Sequence, residues 1–94
     1  MVWANGLTMK QEYVKVTVFF KTADLALATT ISLWYPLDCI ERTSNSKVIF
    51  LFKKDKPLDE LVQAYWRKEL EVEPQAFFTQ LKFLKTRIYE ERSQ

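Results

Sequence analysis

Residues 37–53 read LDCIERTSNSKVIFLFK, and this stretch decides the fold. Two runs rich in β-branched and aromatic residues flank the short polar segment SNS, which predicts a β-hairpin. Since the segment holds no glycine, we expect Asn45 to adopt the positive φ angle of the turn. The second run is apolar on both faces, with Val48, Phe50 and Phe52 on one and Ile49 and Leu51 on the other. Such a strand is predicted to lie at the centre of its sheet.

The sequence before the hairpin predicts a strand followed by a helix. Residues 13–20 alternate between apolar and polar side chains, with Val14, Val16, Val18 and Phe20 on one face. That period of two is typical of a half-buried strand. Thr22 is predicted to cap the following helix. Leu27, Ile31 and Trp34 form its apolar stripe, and Pro36 is expected to end it.

Two further helices are predicted after the hairpin. The first spans residues 55–70, with Pro57 in its first turn. Its apolar face comprises Leu58, Leu61, Val62, Tyr65 and Trp66. The second opens at Pro74, and its core stripe comprises Phe77, Leu81, Leu84 and Ile88.

These elements predict a single small α+β domain over residues 12–94, preceded by a flexible N-terminal tail over residues 1–11. The order is β-α-β-β-α-α. The sheet has three strands and is mainly antiparallel, with the helices packed on one face. Its other face would then carry Ile49 and Leu51 as a candidate protein interface.

The composition excludes many chemistries. The 94 residues include no histidine, one cysteine and one glycine. A histidine-based triad, a thiolate zinc site and a glycine-rich phosphate loop are therefore excluded within one chain. Asp38 and Glu41 suggest the carboxylate–metal site of a metal-dependent nuclease. Side chains three residues apart on a strand point to opposite faces, however, so these two carboxylates cannot bind one ion without a bulge. We expect no enzymatic activity, no catalytic residue, no metal and no cofactor.

The sequence also bears on location and partners. The longest apolar run, VIFLF at residues 48–52, is far shorter than the roughly 20 residues of a membrane span. The start of the chain lacks the pattern of a signal peptide, and Cys39 has no second cysteine for an intrachain disulfide. We therefore expect a cytoplasmic protein with no membrane partner.

Two basic segments are candidate nucleic-acid contacts. KFLKTRIY at residues 82–89 alternates basic and aromatic residues, and KKDK at residues 53–56 follows the hairpin.

Phe78 and Tyr89 are expected to widen the core face of the last helix. Phe83 lies nearly opposite the core stripe, which leaves both an inner contact and an interface open.

From Lys21 onward the chain resembles the DUF5659 family, a domain of unknown function found in bacteria, archaea and their viruses. The resemblance rests on KTADLALA, CIERTSNSKVIFLF, LDELVQAYW and VEPQAFFTQLKFLKTRIY, which together cover most of residues 21–89. It implies the same element order and a small intracellular module. It supplies no activity and no functional residues.

Two functions of different classes follow. The leading hypothesis is a non-enzymatic interaction module that forms a homo-oligomer or docks onto a larger protein, using Ile49, Leu51 and Phe83. The alternative is a nucleic-acid-binding accessory protein of a virus or mobile element. Its candidate contacts are Lys53, Lys54, Lys56, Lys82, Lys85 and Arg87.

Overall fold

Within residues 17–92, six elements follow one another in the order strand, helix, strand, strand, helix, helix. The computed structural model describes residues 17–92. Its strands are β1 (Phe19–Thr22), β2 (Cys39–Arg42) and β3 (Val48–Lys53). Its helices are α1 (Leu25–Ile31), α2 (Lys56–Trp66) and α3 (Pro74–Arg92). The predicted α+β class and element order are confirmed. The predicted tail at 1–11 and residues 13–16 of the predicted first strand lie outside the described residues.

The three strands form one antiparallel sheet in the order β1-β3-β2. Phe20 of β1 pairs with Phe52, and Ile40 of β2 pairs with Phe50. This order confirms the prediction that β3, the strand after the turn, lies at the centre of the sheet. Its physical reason is that β3 is apolar on both faces.

The three helices cover the face of the sheet that carries Phe50 and Phe52. These two rings are almost fully buried and join one core cluster with helix residues. The helix residues of this cluster are Leu27, Ala28, Ile31, Leu58, Val62 and Leu84. The core therefore draws on every helix, and α3 contributes Leu84 to it.

The first helix begins and ends differently from the prediction. Thr22 is the last residue of β1, and Asp24 is the N-cap, whose carboxylate accepts a hydrogen bond from the Leu27 backbone N–H. After Ile31 the chain tightens into i→i−3 bonds, such as Trp34 N–H to the Ile31 carbonyl at 2.9 Å. Trp34 is therefore turned out of the predicted stripe and is exposed.

In the part of the chain that the structure describes, two turns place a non-glycine residue in the left-handed region. In the hairpin that residue is Ser46, with φ of 67°, and not the predicted Asn45. The loop holds a turn of residues 43–46 that is closed by Ser46 N–H to the Thr43 carbonyl, and the fourth residue of this turn takes the left-handed position. After α2 it is Lys68, with φ of 62°. The helix thus stops at Trp66, short of the predicted residue 70, and the Trp66 ring is exposed.

Among residues 17–92, no helix has the length and apolar character that a membrane crossing needs.

Candidate interaction surfaces of the last helix

The last helix is held in place at its start, middle and end. The Glu73 carboxylate accepts hydrogen bonds from the backbone N–H groups of Gln75 and Ala76, which caps the start of α3. Leu84 is fully buried in the core. Near the other end, Arg42 Nη2 donates to the Ile88 carbonyl at 2.9 Å. A cation at this end of a helix also complements the helix dipole. These contacts fix which flanks of α3 face outward.

One flank of α3 carries Phe83, and its ring is 51% exposed. It borders a groove of about 250 Å³ between α3 and the loop that follows α1. The groove is lined by Ser32, Tyr35, Pro36, Leu37, Gln80, Phe83, Leu84 and Arg87. We call the part of this lining formed by Tyr35, Pro36, Leu37, Phe83 and Arg87 the Phe83 surface. It places an exposed ring beside a recess whose lining is mainly apolar and includes Ser32 and Gln80.

Hydrogen bonds hold the loop that forms half of the Phe83 surface. Gln80 Nε2 donates to Ser32 Oγ at 3.0 Å, which joins α3 to the end of α1. The Tyr35 hydroxyl donates to Asp55 Oδ1 at 3.2 Å, which joins the loop to the N-cap of α2. Burial, and then this hydrogen bond to Asp55, raise the pKa of the Tyr35 hydroxyl. The loop is thus fixed to two helices.

A second groove lies on the other side of Tyr35. It has a volume of about 410 Å³ and is lined by Trp34, Tyr35, Pro57 and Leu61. Because Tyr35 lines both grooves, Trp34 and the Phe83 surface belong to one region of the protein. The sequence did not predict this region, because it depends on how the loop after Ile31 turns.

The opposite flank of α3 carries two more exposed rings. Phe78 is 58% exposed and Tyr89 is 64% exposed, so the prediction that they widen the core face is wrong. Lys82 and Lys85, also exposed, lie between them. At about 100° per residue these four side chains fall within an arc of roughly 60°. We call this set, Phe78, Lys82, Lys85 and Tyr89, the Phe78 flank.

The predicted interface residues on the sheet are less accessible than Phe83. Ile49 is half-buried and Leu51 is only 3% exposed. Beside them an ion pair crosses β3, with Lys21 Nζ 4.0 Å from Glu41 Oε1. Both charged residues are exposed and lie on strands that flank β3. Phe83 is therefore the accessible member of the predicted interface set.

The six predicted nucleic-acid contacts do not share one face. Lys54 Nζ lies 3.8 Å from Asp59 Oδ1. Lys56 lines a groove of about 320 Å³ together with Asp59 and Glu60. Lys53 ends β3 and is exposed. On α3, Arg87 belongs to the Phe83 surface, while Lys82 and Lys85 lie roughly 140–160° away around the helix. Lys82 and Lys85 lie together between the exposed rings of Phe78 and Tyr89.

A further groove of about 450 Å³ lies at the end of α2. It is lined by Thr30, Tyr65, Trp66, Lys68, Leu70 and Val72. The rings of Tyr65 and Trp66 meet edge to face at 5.1 Å. Burial, and then the charge of Asp24, raise the pKa of the Tyr65 hydroxyl. Lys68 is the one charged residue in this lining.

The acidic and sulfur-containing side chains do not gather into a metal site within residues 17–92. Glu41 is paired with Lys21, and Asp38 lies just before β2. Burial, and then the Asp38 carboxylate, raise the pKa of the Cys39 thiol. A raised pKa keeps this thiol protonated at neutral pH, so its nucleophilicity is low.

The fold and its exposed rings define a small α+β domain whose last helix presents aromatic side chains on two flanks. The family model for a domain of unknown function, DUF5659, matches residues 17–90. The chain therefore belongs to the DUF5659 family, as its motifs predicted. No curated protein and no solved structure gives a match to the chain.

Proposed function

We propose that this protein is a non-enzymatic interaction module that self-associates through the Phe83 surface. The observation that carries the proposal is the exposed Phe83 ring beside a recess on the same surface. In a twofold dimer each copy offers the same patch, so a ring next to a recess can fill the recess of its partner. A single surface then supplies both halves of the contact.

The residue types of this surface support the proposal. Aromatic side chains and arginine are enriched where interfaces hold most of their binding energy. Phe83 and Tyr35 supply the rings, and Arg87 stands at the edge of the recess. Trp34 extends the apolar area on the far side of Tyr35. A centre of rings with a cationic rim fits a protein partner.

The rigidity of the loop also favours binding. Gln80 and Asp55 hold the loop from two sides through the bonds to Ser32 and Tyr35. A surface already fixed in its bound shape loses less conformational entropy on association.

The half-buried Cys39 thiol fits a reducing compartment, and we propose the cytoplasm as the location.

The test is the molar mass in solution, measured by light scattering and sedimentation over a range of protein concentrations. We expect a monomer–dimer equilibrium for the wild-type chain. Phe83→Ala should weaken the dimer by about thirtyfold or more, which is the effect of losing a contact worth about 2 kcal/mol.

Phe78→Ala is the matched control, because it removes another exposed phenylalanine ring from the opposite flank of the same helix. It should leave the dimer unchanged. A wild-type chain that stays monomeric at the highest concentrations would refute self-association. Equal weakening by both variants would show that the Phe83 surface is not the specific contact.

A further inference from the structure

We infer that the Phe78 flank is a binding site for single-stranded nucleic acid, separate from the surface proposed for self-association. The flank runs about 16 Å along α3 from Phe78 to Tyr89. Its order is ring, amine, amine, ring, through Phe78, Lys82, Lys85 and Tyr89. Non-specific single-strand binders combine these two groups, because rings stack on bases and cations contact phosphates.

The charge of residues 74–89 of α3 matches that ligand, while Glu90 and Glu91 follow in the last turn of the helix. Residues 74–89 hold three basic residues and no acidic one. Two of the three, Lys82 and Lys85, lie within the arc of the Phe78 flank. The third, Arg87, lies on the other side of the helix beside Phe83. The positive charge of the flank is therefore not offset by a carboxylate from this stretch of α3.

The exposure of the rings argues for stacking and against a structural role. Phe78 and Tyr89 are more exposed than Phe83, and each ring lies one or two helical turns from a lysine. The Phe78 ring also meets Phe77 edge to face at 6.0 Å, which limits its freedom while leaving it exposed. A ring held in this way loses little entropy when a base stacks on it.

Single-stranded nucleic acid is favoured over an acidic protein segment because two exposed rings flank the lysines. An acidic peptide would use the lysines but not the ring faces. Every nucleobase offers a π-face to Phe78 and Tyr89, and the intervening phosphates reach Lys82 and Lys85. Both groups of the flank then take part in binding.

The test measures the fluorescence polarisation of a short labelled oligothymidylate as the 94-residue protein is added at several salt concentrations. The affinity should fall steeply with salt, with each neutralised phosphate adding about 0.7 to the logarithmic slope. Lys82→Gln/Lys85→Gln should reduce that slope by about 1.4. The control Lys53→Gln/Lys54→Gln removes the same charge elsewhere and should leave the slope unchanged.

Stacking is tested separately from charge. Phe78→Leu should weaken binding by about tenfold, since a stacked base contributes strongly to affinity. Phe83→Leu, on the other flank, should bind like the wild type, and thermal melts verify that all variants are folded. Absence of binding at low salt would overturn the inference. Equal affinity for labelled polyglutamate, unaffected by Phe78→Leu, would assign the flank to acidic protein segments and also overturn it.

Discussion

Replacing Lys68 with glycine should stabilise the protein, because Lys68 occupies a backbone conformation that favours glycine. Its N–H bonds to the Tyr65 carbonyl and the Glu69 N–H bonds to the Ala64 carbonyl, both at 3.0 Å. This is the Schellman arrangement, in which the residue after the helix is left-handed and is usually glycine. With φ of 62°, the Cβ atom of Lys68 crowds the backbone.

The expected gain follows from two opposing terms. Relief of the left-handed strain contributes roughly 1–2 kcal/mol. The greater freedom of glycine in the unfolded chain opposes this by roughly 0.5–1 kcal/mol. The free energy of unfolding should therefore rise by about 0.75 kcal/mol, the difference between the midpoints of the two ranges. In a domain of this size that corresponds to an increase of about 3–6 °C in Tm.

Thermal and urea denaturation followed by circular dichroism measure this gain. Lys68→Ala is the matched control, because it removes the charged side chain and keeps the Cβ atom. Its stability should remain near that of the wild type. If Lys68→Gly were no more stable than Lys68→Ala, the positive φ angle would not be a source of strain and the reasoning would fail.

The core, the hairpin turn and the cysteine each offer a further test. Leu84→Ala should lower the free energy of unfolding by about 2–5 kcal/mol because Leu84 is fully buried; a loss below about 1 kcal/mol in urea denaturation would contradict the docking of α3. Ser46→Gly should raise stability by about 0.75 kcal/mol through the same balance of strain and chain entropy as at Lys68, whereas Asn45→Gly should not, and equal melting shifts would contradict the turn. The raised pKa of Cys39 means less thiolate at pH 8, so a thiol reagent should react more slowly with the folded chain than with the chain in urea. Equal rates would show that the folded chain does not protect the thiol.

The sequence predicts the central strand and the order of elements because these depend on strong local patterns. A strand with apolar residues on both faces, such as β3, is stable only between two neighbours. The turn depends on loop length as well as composition, so the left-handed position fell on Ser46 and not on Asn45. Helical periodicity continues through Trp34 and beyond Trp66, but the backbone tightens before Trp34 and reverses at Lys68, just after Trp66. Periodicity therefore predicted longer helices than the structure contains.

The candidate surfaces were only partly predictable for a related reason. The outward position of Phe83 follows from helix geometry alone. The exposure of Phe78 and Tyr89 depends on how much of α3 is covered, and within residues 74–90 of this helix only Leu84 is fully buried. A small sheet and a short α1 cover a narrow arc of a 19-residue helix. The recess beside Phe83 depends on the loop after Ile31, which no local pattern describes.

The pairing of β1 with the distant strand β3 affects how the protein folds during translation. Residues 19–22 leave the ribosome well before residues 50–53, the segment with which they pair. The β2–β3 hairpin joins neighbouring segments and can close quickly, whereas β1 must close a long loop. We expect the nascent chain to hold β1 unpaired until β3 has emerged. During that interval the hydrogen-bonding edge of β1 is open to other nascent chains or to chaperones.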